Sequence, residues 1–278
     1  MTATALGQTR QATTSTRGLL GARDYRVTRL APSDAVSELV ERHWLVDWDL
    51  PDGRTSRATL LPHPCVNLTW LPGTDVMING VGRGLFTYPL AGRGFVFGVK
   101  FRPGGFAPFW PGQLAELTDR VRPLDRAGEL RDALAAARGP DEMAAAVERH
   151  LLARWPAPDP AVALVGRIIR VLLHDREVRR VDEVAARFGL SARSLQRLFR
   201  AYVGVTPKAV LSRYRLHEAA ERLADPDSGG PSQVAADLGY FDQSHFIRDF
   251  TRVLGETPGS FEYRHSGPAP RAAAGSSP

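Results

Sequence analysis

Four side chains within one short stretch are the best equipped for specific chemistry: Arg193, Gln196, Arg197 and Arg200. A guanidinium fork matches the paired acceptors of guanine, and a carboxamide matches the donor and acceptor of adenine. Such a set suits hydrogen bonding to base edges. A second set lies further on, comprising Gln243, Ser244, His245, Ile247, Arg248 and Arg252 with Thr251 among them. It is less basic. Ile247 stands where the first set has Gln196, offering apolar contact with a thymine methyl in place of a bidentate bond. Two other residues point to different chemistry. His63 and Cys65 are two apart, so on a strand they would share a face and could both ligate zinc, with His43 a distant third. Two ligands fall short of the three or four a zinc site needs. Cys65 is also the lone thiol and could accept an alkyl group, although His63 is the only basic residue beside it in sequence.

The elements that must carry these groups follow from periodicity. At about 100° per residue, Leu195, Leu198, Phe199 and Tyr202 fall on one side of a helix and the Arg/Gln set on the other. The surrounding pattern is then repeated. Val184, Ala185 and Gly189 recur as Val234, Ala235 and Gly239, and Leu195, Arg197 and Phe199 recur as Phe246, Arg248 and Phe250. Gly204, Thr206 and Pro207 recur as Gly255, Thr257 and Pro258, with one residue added in the second turn. In each copy a glycine can close the first helix in the left-handed conformation. Ser191 and Asp242 offer N-cap oxygens to the second helix. Each Thr-Pro pair opens a further helix as N-cap and N1. Helix, tight turn, helix, with glycine in the turn, is the helix-turn-helix signature.

Upstream, between about Tyr25 and Trp110, the period is near two. Trp44, Val46 and Trp48 alternate with His43, Leu45 and Asp47, and Phe95, Phe97, Val99 and Phe101 with Val96, Gly98, Lys100 and Arg102. Val66, Leu68 and Trp70 do the same, which predicts an antiparallel barrel or sandwich. Leu130, Leu134 and Ala137, then Met143, Val147 and Leu151, form helical stripes divided at Gly139-Pro140. These helices either dimerise or cover the β unit. Arg102 to Gly105 reads as a turn, and Phe106, Phe109 and Trp110 as core. Residues 1–18 and 266–278 are expected to be disordered tails. A net charge of +6 and a pI near 10.0 favour a polyanionic partner. One cysteine excludes an intramolecular disulfide framework, and no leader or membrane-spanning run is evident.

The run from Val184-Ala185 through Gly189-Leu190-Ser191, Arg193 and Leu195 to Phe199, then Gly204, Pro207, Arg215-Leu216 and Ala219-Ala220, resembles the AraC/XylS family of bacterial transcription regulators. So does its continuation, Gly239 to Phe246, Arg248, Phe250, Gly255, Thr257 and Pro258. Val210 stands where that family usually has an aromatic, and its closing Tyr-Arg pair is displaced to Tyr263-Arg264 behind Phe261-Glu262. The resemblance implies seven helices in two subdomains, joined by a helix from about Pro207 to Ala224 that spans about 27 Å. One subunit would place both recognition helices in successive major grooves. The stretches Leu61 to Leu68 and Gly98 to Gly105 resemble the cupin-like domain that precedes this module in one AraC-type subfamily.

The expected fold class is therefore α+β: a cupin-like antiparallel β-barrel with helices, then an all-α paired helix-turn-helix domain. Expected boundaries are 19–112 for the β domain, 113–156 for the dimerising or covering helices and 160–265 for the DNA-binding domain. Its two units are expected at 181–200 and 232–252. The expected function is a non-enzymatic, cytoplasmic, nucleoid-associated regulator reading a bipartite promoter site under ligand or dimer control. The competing class is a metal-dependent cupin enzyme or a cysteine alkyl acceptor with an attached DNA-binding module. Double-stranded promoter DNA is the expected partner, with RNA polymerase, a small-molecule effector and a second copy of the chain as further candidates. No cofactor, metal or membrane is called for.

Overall fold

The computed structural model describes residues 12–14, 19–20, 24–175, 178, 180–225 and 227–266. The chain forms two compact units, Met1–Val210 and Leu211–Pro278. The division falls inside the helix that joins the two helix-turn-helix copies. The first copy therefore belongs to the same unit as the β strands.

The β region begins with β1 (Ala12–Thr14), β2 (Leu19–Leu20), β3 (Arg26–Leu30), β4 (Val40–Asp49) and β5 (Thr55–Leu60). It continues with β6 (Asn67–Trp70), β7 (Met77–Asn79), β8 (Phe86–Ala91), β9 (Arg93–Phe101) and β10 (Val121–Pro123). Every pairing is antiparallel, as expected. The strands run in two sheets, one of order β1-β3-β4-β9-β6-β7-β10 and one of order β2-β5-β8. The expected N-terminal tail thus contributes β1, paired with β3; most of residues 1–18, and residues 267–278 of the second tail, lie outside the described residues.

The alternation in β4 and β9 has a consequence on each face. On one, Phe97, Val99 and Phe101 join Val40, Val66, Leu68 and Trp70 in the main core. On the other, Trp44 pairs with Gly98 and Trp48 with Gly94. A Cβ on Gly98 would lie 2.2 Å from the Trp44 ring and one on Gly94 2.6 Å from the Trp48 ring. The two glycines leave room for the indoles, an arrangement in which an aromatic covers a cross-strand glycine. Trp48 then forms a second, smaller core with Leu50, Ala58 and Leu90, the last two from the three-stranded sheet.

Helices α1 (Gly128–Ala136) and α2 (Pro140–Leu152) cover the Phe97 face of the large sheet. Leu130 and Leu134 of α1 and Met143, Val147 and Leu151 of α2 are all part of the main core. Of the two roles open to these stripes, covering the sheet accounts for their burial. A polar link reinforces the packing: His43, fully buried on β4, lies 2.8 Å from Glu148 Oε1 on α2. The same oxygen accepts from the backbone N–H of Ser33 at 3.0 Å. One buried carboxylate thus ties three segments distant in sequence.

The remaining helices are α3 (Pro160–His174), α4 (Val181–Arg187), α5 (Ala192–Tyr202), α6 (Pro207–Leu223), α7 (Gly230–Asp237), α8 (Gln243–Leu254) and α9 (Pro258–Ser266). Asp159 caps α3, accepting from the Ala161 N–H at 2.8 Å. In the first unit Val165, Ile168 and Leu172 of α3 are buried, as are Val184 of α4 and Leu195 and Phe199 of α5. In the second, Val234, Phe246, Phe250 and Leu254 are buried with Phe261. Phe261 takes the buried aromatic place in α9 while Tyr263 is 81% exposed. Val210, where an aromatic is usual in the resembled family, is itself fully buried.

Candidate nucleic-acid interface

Both copies are closed and opened by the same local devices. Gly189 and Gly239 take φ +64° and +72°. Gly189 N–H donates to Ala186 and Leu190 N–H to Ala185; Gly239 and Tyr240 donate to Ala236 and Ala235 in the same way. This is the paired bonding of a Schellman motif, and it satisfies carbonyls that the helix end leaves open. Ser191 Oγ then accepts from Ser194 N–H at 3.1 Å, and Asp242 Oδ1 from His245 N–H at 2.6 Å. Thr206 and Thr257 accept from Ala209 and Ser260, with Pro207 and Pro258 opening α6 and α9. Every cap read from the sequence is made.

These caps fix how each second helix presents its side chains. In α5, Leu195 and Phe199 are fully buried, whereas Arg193, Gln196, Arg197 and Arg200 are exposed. Arg193, Gln196 and Arg197 have no ion pair or side-chain hydrogen bond among the described residues, so their donors face solvent. Arg200 is engaged: its Nε donates to Gln113 Oε1 at 2.9 Å. In α8, Gln243, Ser244, His245, Arg248 and Arg252 are exposed and Ile247 half-buried. Arg252 pairs with Asp249 at 2.9 Å, and His245 lies 3.6 Å from the same carboxylate. Arg248 has no such partner among the described residues. Each copy therefore offers a solvent-facing polar stripe opposite a buried apolar one, with Arg193, Gln196 and Arg197 on the first and Arg248 on the second uncommitted.

The other candidate chemistry is not assembled. His63 and Cys65 lie in the irregular stretch before β6 and not on a strand, so the alternation that would bring them to one face does not apply. His43 is committed to Glu148. Among the described residues no group of three or more metal-binding side chains occurs. Cys65 is buried, and desolvation pushes its thiol up to about 11, against a weaker opposing pull from Lys100 and Arg42. Its surroundings do include basic groups, which sequence adjacency did not reveal. Lys100 is nearly buried and bonded to Glu41 at 2.9 Å. A thiol held neutral and away from solvent is a poor nucleophile. Phe106 and Phe109 pack edge-on and tilted against Phe101 and each other, as core.

Gln113 itself, and with it Thr118, carried no sequence signal. Both flank the 3-10 turn Leu114–Leu117, and both contact the end of α5. The contacts are 87 and 86 residues apart in sequence. Only an unusually polar turn could have hinted at them.

Fold and exposed faces together define a chain with an antiparallel β region followed by two helix-turn-helix units built to meet nucleic acid. Residues 184–264 match a helix-turn-helix domain family, and residues 28–123 match a domain of unknown function, DUF6597. The transcriptional activator NphR of Rhodococcus sp is 30% identical over 154 residues, which is 54% of this chain and 44% of its own length. The HTH-type transcriptional activator RhaS of Pectobacterium carotovorum is 33% identical over 81 residues, 29% of each chain. ToxT of Vibrio cholerae aligns over 81% of this chain and 99% of its own at 8% identity, with a TM-score of 0.45, a likeness too slight to build on. These matches agree with the resemblance of the helix-turn-helix region to the AraC/XylS family of transcription regulators. Both of these relatives are named transcriptional activators, and the chain spans less than half of their length. No described helix is long and apolar enough to cross a membrane.

Proposed function

We propose that this chain is a cytoplasmic transcription regulator that reads a directional, bipartite promoter site. Helix α5 reads one half through Arg193, Gln196 and Arg197, and helix α8 reads the other through Arg248, with Gln243, Ser244, His245, Ile247 and Arg252 around it. The observation that carries this reading is the pair of helices capped at equivalent N-terminal positions, by Ser191 and Asp242, whose exposed stripes differ. Equivalent N-caps support a like presentation of both helices, and different side chains give them different bases. Arg bonds guanine O6 and N7 together, Gln bonds adenine N6 and N7, and Ile247 favours a thymine methyl. The site is therefore not a palindrome within one subunit. The β region controls this reading through an effector or through pairing with a second copy, and RNA polymerase is the partner at the promoter.

Selection of duplexes from a random-sequence pool tests the proposal. The wild-type chain enriches two unlike half-sites on one face of the helix, and its affinity falls steeply with salt, by about 0.9 log units per log unit of salt for each phosphate contacted. Arg193→Ala or Arg197→Ala lowers discrimination at one half-site by about 1–3 kcal/mol, and Arg248→Ala does so at the other. If the Arg193 and Arg197 variants kept full discrimination while Arg248→Ala abolished it, the division of labour would be wrong. Salt-insensitive binding would overturn DNA reading altogether.

A further inference from the structure

The repeat supplies an internal comparison. Gly204 and Gly255 end α5 and α8 at equivalent positions, both left-handed, with φ +92° and +77°. A Cβ on Gly255 would meet nothing within 4 Å. On Gly204 it would lie 3.0 Å from the Leu114 carbonyl oxygen and 3.2 Å from Thr118 Oγ1. Thr118 Oγ1 in turn donates to the Gly204 carbonyl at 2.6 Å, in a buried bond. Four residues back, Arg200 donates to Gln113, whereas the second copy has Thr251 at that position. On another side Gly104, at φ +85°, brings the Arg102–Gly105 turn so close to α3 that a Cβ would sit 3.0 Å from Val165 Cγ1. The first recognition helix is thus docked on the β region at its C-terminal end, all within one compact unit.

The two polar contacts differ in kind. Thr118 to Gly204 is buried and joins a hydroxyl to backbone, so it anchors the helix without touching its reading face. Gln113 to Arg200 is exposed and takes a member of that face. Seven residues after Arg193, Arg200 is only about 20° away around the helix axis, on the same stripe as Arg193 and Arg197. Its Nε cannot bond Gln113 and DNA at once.

We propose that Gln113 is a restraint on the first recognition helix: anchored through Thr118, the β region holds Arg200 back from DNA, and DNA binding exchanges the Gln113 bond for an acceptor on the duplex. This inference rests on the DNA reading proposed above. Coupling of this kind is reciprocal, so whatever tightens the seat of the 3-10 turn weakens DNA binding by the same factor that DNA weakens the seat.

The test measures binding of the full chain to a labelled duplex enriched by the wild type from the random pool. Gln113 is exposed, so Gln113→Ala leaves folding intact, which tryptophan fluorescence checks. Gln113→Ala tightens binding by about three- to tenfold, the net worth of one ordinary solvent-exposed hydrogen bond. Gln113→Glu keeps the acceptor and adds charge, and so weakens binding. In an Arg200→Ala background both changes vanish, an outcome that a purely structural role for Gln113 would not produce. Unchanged or weaker binding by Gln113→Ala, or effects that persist without Arg200, would overturn the restraint. A wild type that enriches no duplex would overturn the DNA-reading proposal and the restraint together, whereas a wild type that enriches one while Gln113→Ala fails to tighten overturns the restraint alone.

Discussion

Replacing Gly204 and, separately, Gly255 by alanine sets the crowded end of α5 against the open end of α8. A left-handed alanine costs about 1–2 kcal/mol, and the stiffer unfolded chain returns about 0.4–1 kcal/mol. At Gly255, where nothing lies within 4 Å, the net loss is about 1 kcal/mol. At Gly204 the new methyl also presses on the Leu114 carbonyl and on Thr118 Oγ1, at 3.0 and 3.2 Å. Thr118 cannot retreat without stretching its bond to the Gly204 carbonyl, so overpacking adds about 1–3 kcal/mol. The expected losses are therefore about 2–4 kcal/mol for Gly204→Ala and about 1 kcal/mol for Gly255→Ala. Urea denaturation resolves them. All five tryptophans lie in the unit Met1–Val210, so their fluorescence follows Gly204→Ala, while far-ultraviolet circular dichroism follows both variants. Equal losses, or a tryptophan transition that Gly204→Ala leaves in place, would show that the Leu114 carbonyl yields freely and that α5 is not held at its end.

Two further outcomes concern the β region. Glu148→Ala strips the acceptor from both His43 and the Ser33 N–H and costs about 2–4 kcal/mol in urea denaturation, as for leaving buried hydrogen-bonding groups without a partner; Glu148→Gln retains an oxygen and costs clearly less, and equal losses would refute the bridging role. Cys65 in the folded chain resists iodoacetamide at neutral pH and reacts once the chain is unfolded in urea. Its thiol pKa is raised from 9.0 to about 11, so the folded state holds the proton more tightly than the unfolded. The associated stability is fully present below pH 9.0 and is lost as pH rises through about 11. A Cys65→Ala protein with the same alkaline decline would assign that loss to other groups.

Much of the DNA-facing half was legible because its signals are local. Glycines that close helices, Ser191 and Asp242 as caps and the Thr-Pro openings all act within a few residues, and repetition of the whole pattern confirmed each of them. The polar stripe of α5 followed from helical angle alone. The antiparallel strands were legible for the same reason, through period-two alternation. The misreading of His63 and Cys65 shows where this ends. Period-two logic applies only on a strand, and these residues lie in an irregular stretch where the direction of each side chain is set by what surrounds it.

The sequence by itself determined the two helix-turn-helix copies, their caps, the residues on their exposed stripes and the antiparallel character of the strands. The tertiary structure alone decided that α1 and α2 cover the large sheet, and that His43 answers Glu148 across 105 residues. It also decided that Lys100 lies near Cys65, and that Arg200, alike in sequence to Arg193 and Arg197, is bound to Gln113. Caps and periodicity are properties of neighbouring residues, so composition and spacing encode them directly. Docking depends on surfaces brought together only after each element has formed, and no local pattern specifies which polar group a distant surface will offer.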